Sequence, residues 1–201
     1  RMNPCVGDGT LSAWIPRGLV ELSDERVGSP APLTRPDGLC SLQVSWRDGR
    51  IVKVQPLVEG AEEPDGLLLP RLLEPHAHLD KAFSWSRFPN LSGTYAGAMA
   101  ANLREHQTRT VEVVQERFER AMALIWRHGL RAVRTHIDSL GPGAQCSWEA
   151  ILDGASRWQD RVIVQPVALV PVEHWGTLEG EELAAQVAAS GGLLGGVISP
   201  P

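Results

Sequence analysis

The feature that most constrains the fold is an alternation of short apolar runs with amphipathic segments through the second two thirds of the chain. Runs centred on Leu130–Val133, Val162–Val170 and Leu193–Ile198 recur about every 30 residues, the length of one strand–helix unit. Ahead of the first, Val114, Phe118, Ala121, Met122 and Ile125 fall at spacings of three and four, which gives one apolar helical face. Thr110 can cap that helix and Gly129 can end it. Ile151, Leu152, Ala155 and Trp158 form a second stripe with Ser147 as its expected cap. Leu183, Ala184, Val187 and Ala188 mark a third, closed by Gly191 and Gly192. Residues 66–74 precede all of these as an apolar run without helical period and read as a buried strand. Four strands separated by helical crossovers predict parallel pairing in an α/β fold.

The chain has 201 residues, enough for one good domain or for a small domain plus part of a larger one. Its 43% apolar content argues against wholesale disorder. Net charge is −5 with basic residues dispersed, so no nucleic-acid partner is expected. No apolar run suggests a membrane span and no leader pattern opens the chain, so a cytoplasmic location is expected. Cys5, Cys40 and Cys146 are odd in number and widely spaced, which reads as reduced thiols.

The first 65 residues differ in pattern. Leu42, Val44 and Trp46 alternate with polar residues, Asp48-Gly49 signals a hairpin, and Val52 and Val54 continue a second strand. Short apolar pieces over 11–15 and 18–22 fit further short strands. The division expected is a small β-layer over 1–65, ending in an acidic linker over 59–65, and an α/β unit over 66–201.

Function concentrates at the ends of the predicted strands. The string Pro75-His76-Ala77-His78-Leu79-Asp80-Lys81 follows the first of them. In extended chain, residues at i and i+2 point to one face, so His76 and His78 make a bidentate grip for a borderline divalent metal such as zinc. A His-x-His pair also arises by chance. The preceding strand, the adjacent Asp80 and Lys81, and a second polar cluster, Thr135-His136-Ile137-Asp138, raise its weight. The loop over 82–93 carries Phe83, Trp85 and Phe88, which either wall a pocket for a flat ligand or cover the core. Strand ends are where active sites form in parallel α/β folds. No Gly-x-Gly-x-x-Gly follows the first strand, which argues against a dinucleotide fold.

The residues Glu74 to Lys81, with Val133-Arg134-Thr135-His136-Ile137-Asp138, resemble the metal-dependent amidohydrolase superfamily. The branch they resemble is the cytosine deaminase group, which includes the N-isopropylammelide hydrolase type. The resemblance spans roughly residues 40 to 201. It implies the N-terminal part of a (β/α)8 TIM-type barrel, strands 1 to 4, preceded by a β-sandwich-like layer. It also implies hydrolysis of a C–N bond on a cyclic amidine or nucleobase-like ring, such as a small heterocyclic substrate. One divalent metal ion, zinc or iron, would be held by His76 and His78. His136 and Asp138 would lie near it, contacting substrate or holding loops. In the cytosine deaminase group a Pro-Gln pair follows strand 3, where this chain reads Pro171-Val172-Glu173-His174. Either Val172 takes the glutamine position or Glu173 does, and a carboxylate there would prefer a ring N–H.

A full barrel needs eight strands and this chain supplies about four. The family's third histidine ligand, catalytic glutamate and metal-binding aspartate come from strands 5 to 8, so no catalytic acid–base is expected in this chain. A homo-oligomer or a complementing C-terminal half would then complete the site. Two other readings remain open at this point: a non-catalytic half-barrel remnant or partner-binding subunit, and an open flavodoxin-like sheet.

Overall fold

The computed structural model describes residues 7–20, 32, 34–57 and 60–198. The chain divides into two compact units, Arg1–Pro70 and Arg71–Pro201.

In the first unit, β1 (Gly9–Pro16), β2 (Leu39–Arg47) and β3 (Arg50–Pro56) form one antiparallel sheet in the order β1-β2-β3. The β2–β3 hairpin turns at Asp48 and Gly49, both at positive φ, as a type I′ turn requires. Ala13, Ile15, Cys40, Leu42 and Val44 make its core, joined by Leu68. Among the described residues the expected small layer is thus a single three-stranded sheet. Of the expected strand over 18–22, residues 18 and 19 lie in a 3-10 turn, Val20 follows it, and 21 and 22 fall outside the described residues.

The second unit carries a curled sheet of four parallel strands in sequential order. They are β4 (Leu72–Ala77), β5 (Leu130–Asp138), β6 (Ile163–Pro171) and β7 (Leu193–Val197). Helices α1 (Tyr95–His106) and α2 (Val111–Arg127) lie between β4 and β5, α3 (Ala144–Trp158) between β5 and β6, and α4 (Leu178–Ala189) between β6 and β7. This is the order of the first half of a (β/α) barrel. One core gathers Val133 and Ile137 of β5 and Ala168 of β6 with Phe118 and Met122 of α2, Ile151 of α3 and Val187 of α4.

The helix signals act largely as expected. Thr110 caps α2, its hydroxyl accepting from Val113 N at 3.3 Å, and Gly129 follows at φ 77°. Three expectations need correction. The strand before the histidines begins at Leu72 rather than Gly66, and Leu72 and Leu73 are 57% and 66% exposed, so it is not buried. Residues 67 and 68 instead pair with Trp14 in the first unit, which removes them from the parallel sheet. Ser147 is not a cap. It lies inside α3, fully buried, and donates to Gly143 O at 2.9 Å. Helix α1 was not foreseen at all. Its buried residues are Ala101, Glu105 and His106, two of them polar, so it has no apolar stripe to detect.

Candidate metal and substrate site

The histidine string sits where β4 gives way to a 3-10 turn over Leu79–Lys81. Register against β5 slips by one residue between Glu74 and Ala77, around Pro75, which has no N–H for the ladder. The slip aims His76 and His78 at the side chain of His136 on β5. The His76 and His136 rings stack with centroids 4.1 Å apart, and His76 and His78 meet edge to face at 5.2 Å. Thr135 and Ile137 alternate with His136 and Asp138 along β5 and are fully buried, so β5 places His136 and Asp138 together on the opposite face.

Residues 78 to 81 dock one after another onto the end of β5. His78 Nδ1 lies 2.9 Å from His136 O, and Leu79 N donates to Thr135 Oγ1 at 3.0 Å. Asp138 N donates to Asp80 Oδ2 at 3.2 Å, and Lys81 Nζ donates to both Asp138 carboxylate oxygens at 2.9 Å. A carbonyl only accepts, so the first contact puts the His78 proton on Nδ1 and leaves Nε2 with a free lone pair, the form a metal ligand needs.

Behind this string lies an ion network that sequence reasoning missed. Arg109 is buried just beyond α1. It donates to Glu105 Oε2 through Nε at 2.8 Å and Nη2 at 2.6 Å, and to Asp80 Oδ2 at 2.8 Å. It also donates to Ser147 Oγ at 3.1 Å and Asp138 Oδ2 at 3.0 Å. Arg117 of α2 donates to Glu105 Oε1, and Asn102 Nδ2 reaches Asp138 Oδ2 at 3.2 Å. The cations Lys81, Arg109 and Arg117 thus face the anions Asp80, Glu105 and Asp138. The only sequence trace was the i, i+4 spacing of Glu105 and Arg109.

The same architecture recurs among known proteins. No family profile matches the chain. Over 169 residues it is 31% identical to a pterin deaminase of Rhizobium rhizogenes, a match covering 80% of this chain and 39% of that protein. Over 163 residues it is 26% identical to N-isopropylammelide isopropyl amidohydrolase of a Pseudomonas species, covering 74% and 40%. The chain is a relative of the amidohydrolase-superfamily deaminases. It spans about two fifths of the length of these curated relatives. The solved structure of 5-methylcytosine deaminase from Klebsiella pneumoniae shares its fold, with a TM-score of 0.65 at 23% identity over 82% of this chain and 41% of that one. N-isopropylammelide isopropylaminohydrolase from Burkholderia multivorans does so at 0.55 and 21%, over 92% and 44%.

For a metal of the amidohydrolase kind, His76 and His78 are a fitting pair. Two imidazoles that share a tetrahedral zinc through bonds of about 2.0–2.1 Å have centroids roughly 5 Å apart, and these stand at 5.2 Å. Burial, and then the Lys81 charge, push the His78 imidazole down to about 4, so it is neutral at neutral pH. His136 Nδ1 is buried without a hydrogen-bond partner among the described residues, but its ring stacks on His76 and does not point to a shared centre. Among the described residues no set of three or more His, Cys, Asp or Glu is arranged to hold a metal ion. Asp138 is committed to Lys81 and Arg109. Glu173 is exposed in the 3-10 turn after β6, with no hydrogen bond or ion pair to the histidines among the described residues.

Trp85 and Phe88 do wall a cavity, of about 390 Å3, with Lys81, Ser84, Met99 and Asn102. Phe83 does not join them. It sits at φ 59° under the Arg120 guanidinium, 4.0 Å from the ring centroid.

The carboxylates of the network titrate in opposite senses. Burial pushes Asp138 up, but the charges and hydrogen bonds of Lys81 and Arg109 outweigh it and hold the carboxyl down to about 2. Burial dominates at Asp80 and lifts it to about 6 despite Arg109. A depressed carboxyl stabilises the fold above its unfolded pKa and loses that contribution as pH falls through its folded one. For Asp138 the window runs from about 3.8 down to about 2, roughly 2 kcal/mol. Asp80 has the opposite sign and favours the fold as pH drops from about 6 toward 4. Urea midpoints of wild type should therefore fall steeply only below pH 4, and Asp138→Asn should flatten that limb. Parallel acid limbs for the two proteins would remove Asp138 as its cause.

Proposed function

We propose that this chain carries the metal-binding strand ends of a hydrolase that acts on a C–N bond of a cyclic amidine or nucleobase-like ring, as a deaminase does. His76 and His78 hold one divalent ion, zinc or iron. The observation that carries the reading is the docking of residues 78 to 81 onto β5, which leaves His78 Nε2 free beside His76. A bound ion of this kind supplies Lewis-acid activation of a water molecule as nucleophile.

The chain's own residues bind and orient. His78 keeps its lone pair outward through the bond to His136 O. Trp85 and Phe88 offer flat walls, and the cavity beside Lys81 is within the usual 300–1,000 Å3 range for small-molecule sites. The names of the relatives, for pterin and for an ammelide, support a flat nitrogen heterocycle as substrate. Glu173, His136 and Asp138 are candidate substrate contacts, with Glu173 suited to a ring N–H. We assign no catalytic acid–base here, and propose that a second copy or a complementing C-terminal half supplies it. A cytoplasmic setting is proposed from the free thiols of Cys40 and Cys146, and among the described residues no helix is long and apolar enough to cross a membrane.

The test is metal content and ammonia release. Protein loaded with zinc or iron should retain one ion per chain after dialysis, and His76→Ala should retain none. With a complementing C-terminal half added, ammonia release from pterin or cytosine should follow the metal. Folded wild-type protein that keeps no ion would overturn the reading and favour a non-catalytic partner-binding role.

A further inference from the structure

We infer that Arg109 is a positioning residue for the histidine pair, acting through Asp80 and Asp138 rather than by touching metal or substrate. The inference rests on the metal reading above, but its geometry stands separately. The Arg109 side chain is fully buried, and its five N–H groups meet five acceptor contacts: two to Glu105 Oε2, and one each to Asp80, Asp138 and Ser147. Asp80 stands two residues after His78, and Asp138 two after His136. Asp80 Oδ2 also accepts from Asp138 N, so the guanidinium closes a ring that joins the turn after β4 to the end of β5. Glu105 fixes this ring to α1 and Ser147 fixes it to α3.

Charge neutrality alone would not need this layout, because Glu105 already offers Arg109 a close ion pair. The remaining donors go to the neighbours of the two histidines. A planar fork can span both aspartates at once. A lysine ammonium carries the same charge on one atom and cannot. What depends on the span is the 2.9 Å contact between His78 Nδ1 and His136 O, each on one of the two joined segments. If they drift apart, Nδ1 loses its acceptor, the ring is free to place its proton on Nε2, and the ligand lone pair is lost.

The experiment uses the full chain and compares wild type, Arg109→Lys, Asp80→Asn and Ile151→Ala. The last is a core variant on α3 that serves as a stability control. Nitrogen-15 NMR of the imidazoles, without metal, reads the His78 tautomer, and competition with a chromophoric chelator reads zinc affinity. Wild type should show a single Nδ1–H tautomer at His78. Arg109→Lys should show a mixture and bind zinc about 10–100-fold more weakly, the usual effect of losing an outer partner of a metal ligand. Ile151→Ala should lower stability and leave both readouts unchanged. Should Arg109→Lys fail to fold, Asp80→Asn carries the same expectation with the arginine in place. A retained Nδ1–H tautomer in every folded variant of this pair overturns the inference, as does zinc affinity within about twofold of wild type. Absence of zinc binding in wild type would defeat the metal reading instead, and the tautomer comparison would still decide the role of Arg109.

Discussion

Glu105→Ala is expected to cost the fold about 3–5 kcal/mol, the usual penalty for removing one partner of a buried ion pair. The Glu105 side chain is 2% exposed and takes Arg109 on Oε2 and Arg117 on Oε1. Burial alone would raise its pKa, but the hydrogen bonds and charges of both arginines hold it below the ordinary carboxylate range. Without it, Lys81, Arg109 and Arg117 face only Asp80 and Asp138. One positive charge is then left over in a largely buried cluster. Asp153 makes the contrast. It pairs with Arg157 on the surface, with side chains 50% and 44% exposed, so Asp153→Ala should cost at most about 1 kcal/mol. Urea unfolding of both variants checks this. A loss below about 1 kcal/mol for Glu105→Ala would show the network to be too weak to order α1.

Phe118→Ala should cost a similar amount, about 3–5 kcal/mol, through loss of burial and the cavity left behind. The Phe118 side chain is fully buried in the core shared by α2, α3 and the sheet. It packs where α3 has Gly154, and a Cβ there would lie 2.4 Å from Phe118 Cε1. Gly154→Ala alone should therefore destabilise by about 1–3 kcal/mol, outweighing the helix-propensity gain of about 1 kcal/mol. The double variant tests the contact. With the ring gone, the alanine methyl enters the vacated space, and the combined loss should be clearly less than the sum of the two. Additive losses would show that the two positions do not touch.

These two sites differ in how well the sequence announced them. Phe118 belongs to a stripe at helical spacing between Thr110 and Gly129, and α2 follows that stripe closely. The hairpin at Asp48-Gly49 and the parallel order β4 to β7 were legible for the same reason: local turn chemistry and periodic burial are written in neighbouring residues. Helix α1 was not legible, because Glu105 and His106 are buried by pairing rather than by apolarity. Ser147 resembles a cap in sequence, yet its hydroxyl serves Arg109 and Gly143 inside α3. The strand before the histidines was mistaken for a buried one because residues 67 and 68 are claimed by Trp14.

That His76 and His78 share a face was legible from spacing alone, since any extended chain puts i and i+2 on one face. The order of strands and helices likewise follows from periodicity, which a linear text carries in full. Three matters needed the third dimension. The register slip at Pro75 decides that the histidines meet His136. The docking of residues 78 to 81 onto β5 decides which His78 nitrogen is free. Arg109, 29 residues from Asp80 and 29 from Asp138, decides what holds those segments together. Charge pairs of that separation leave no periodic mark in a sequence, because their partner is chosen by the packing of α1, α2 and α3 around the strand ends and not by the neighbours along the chain.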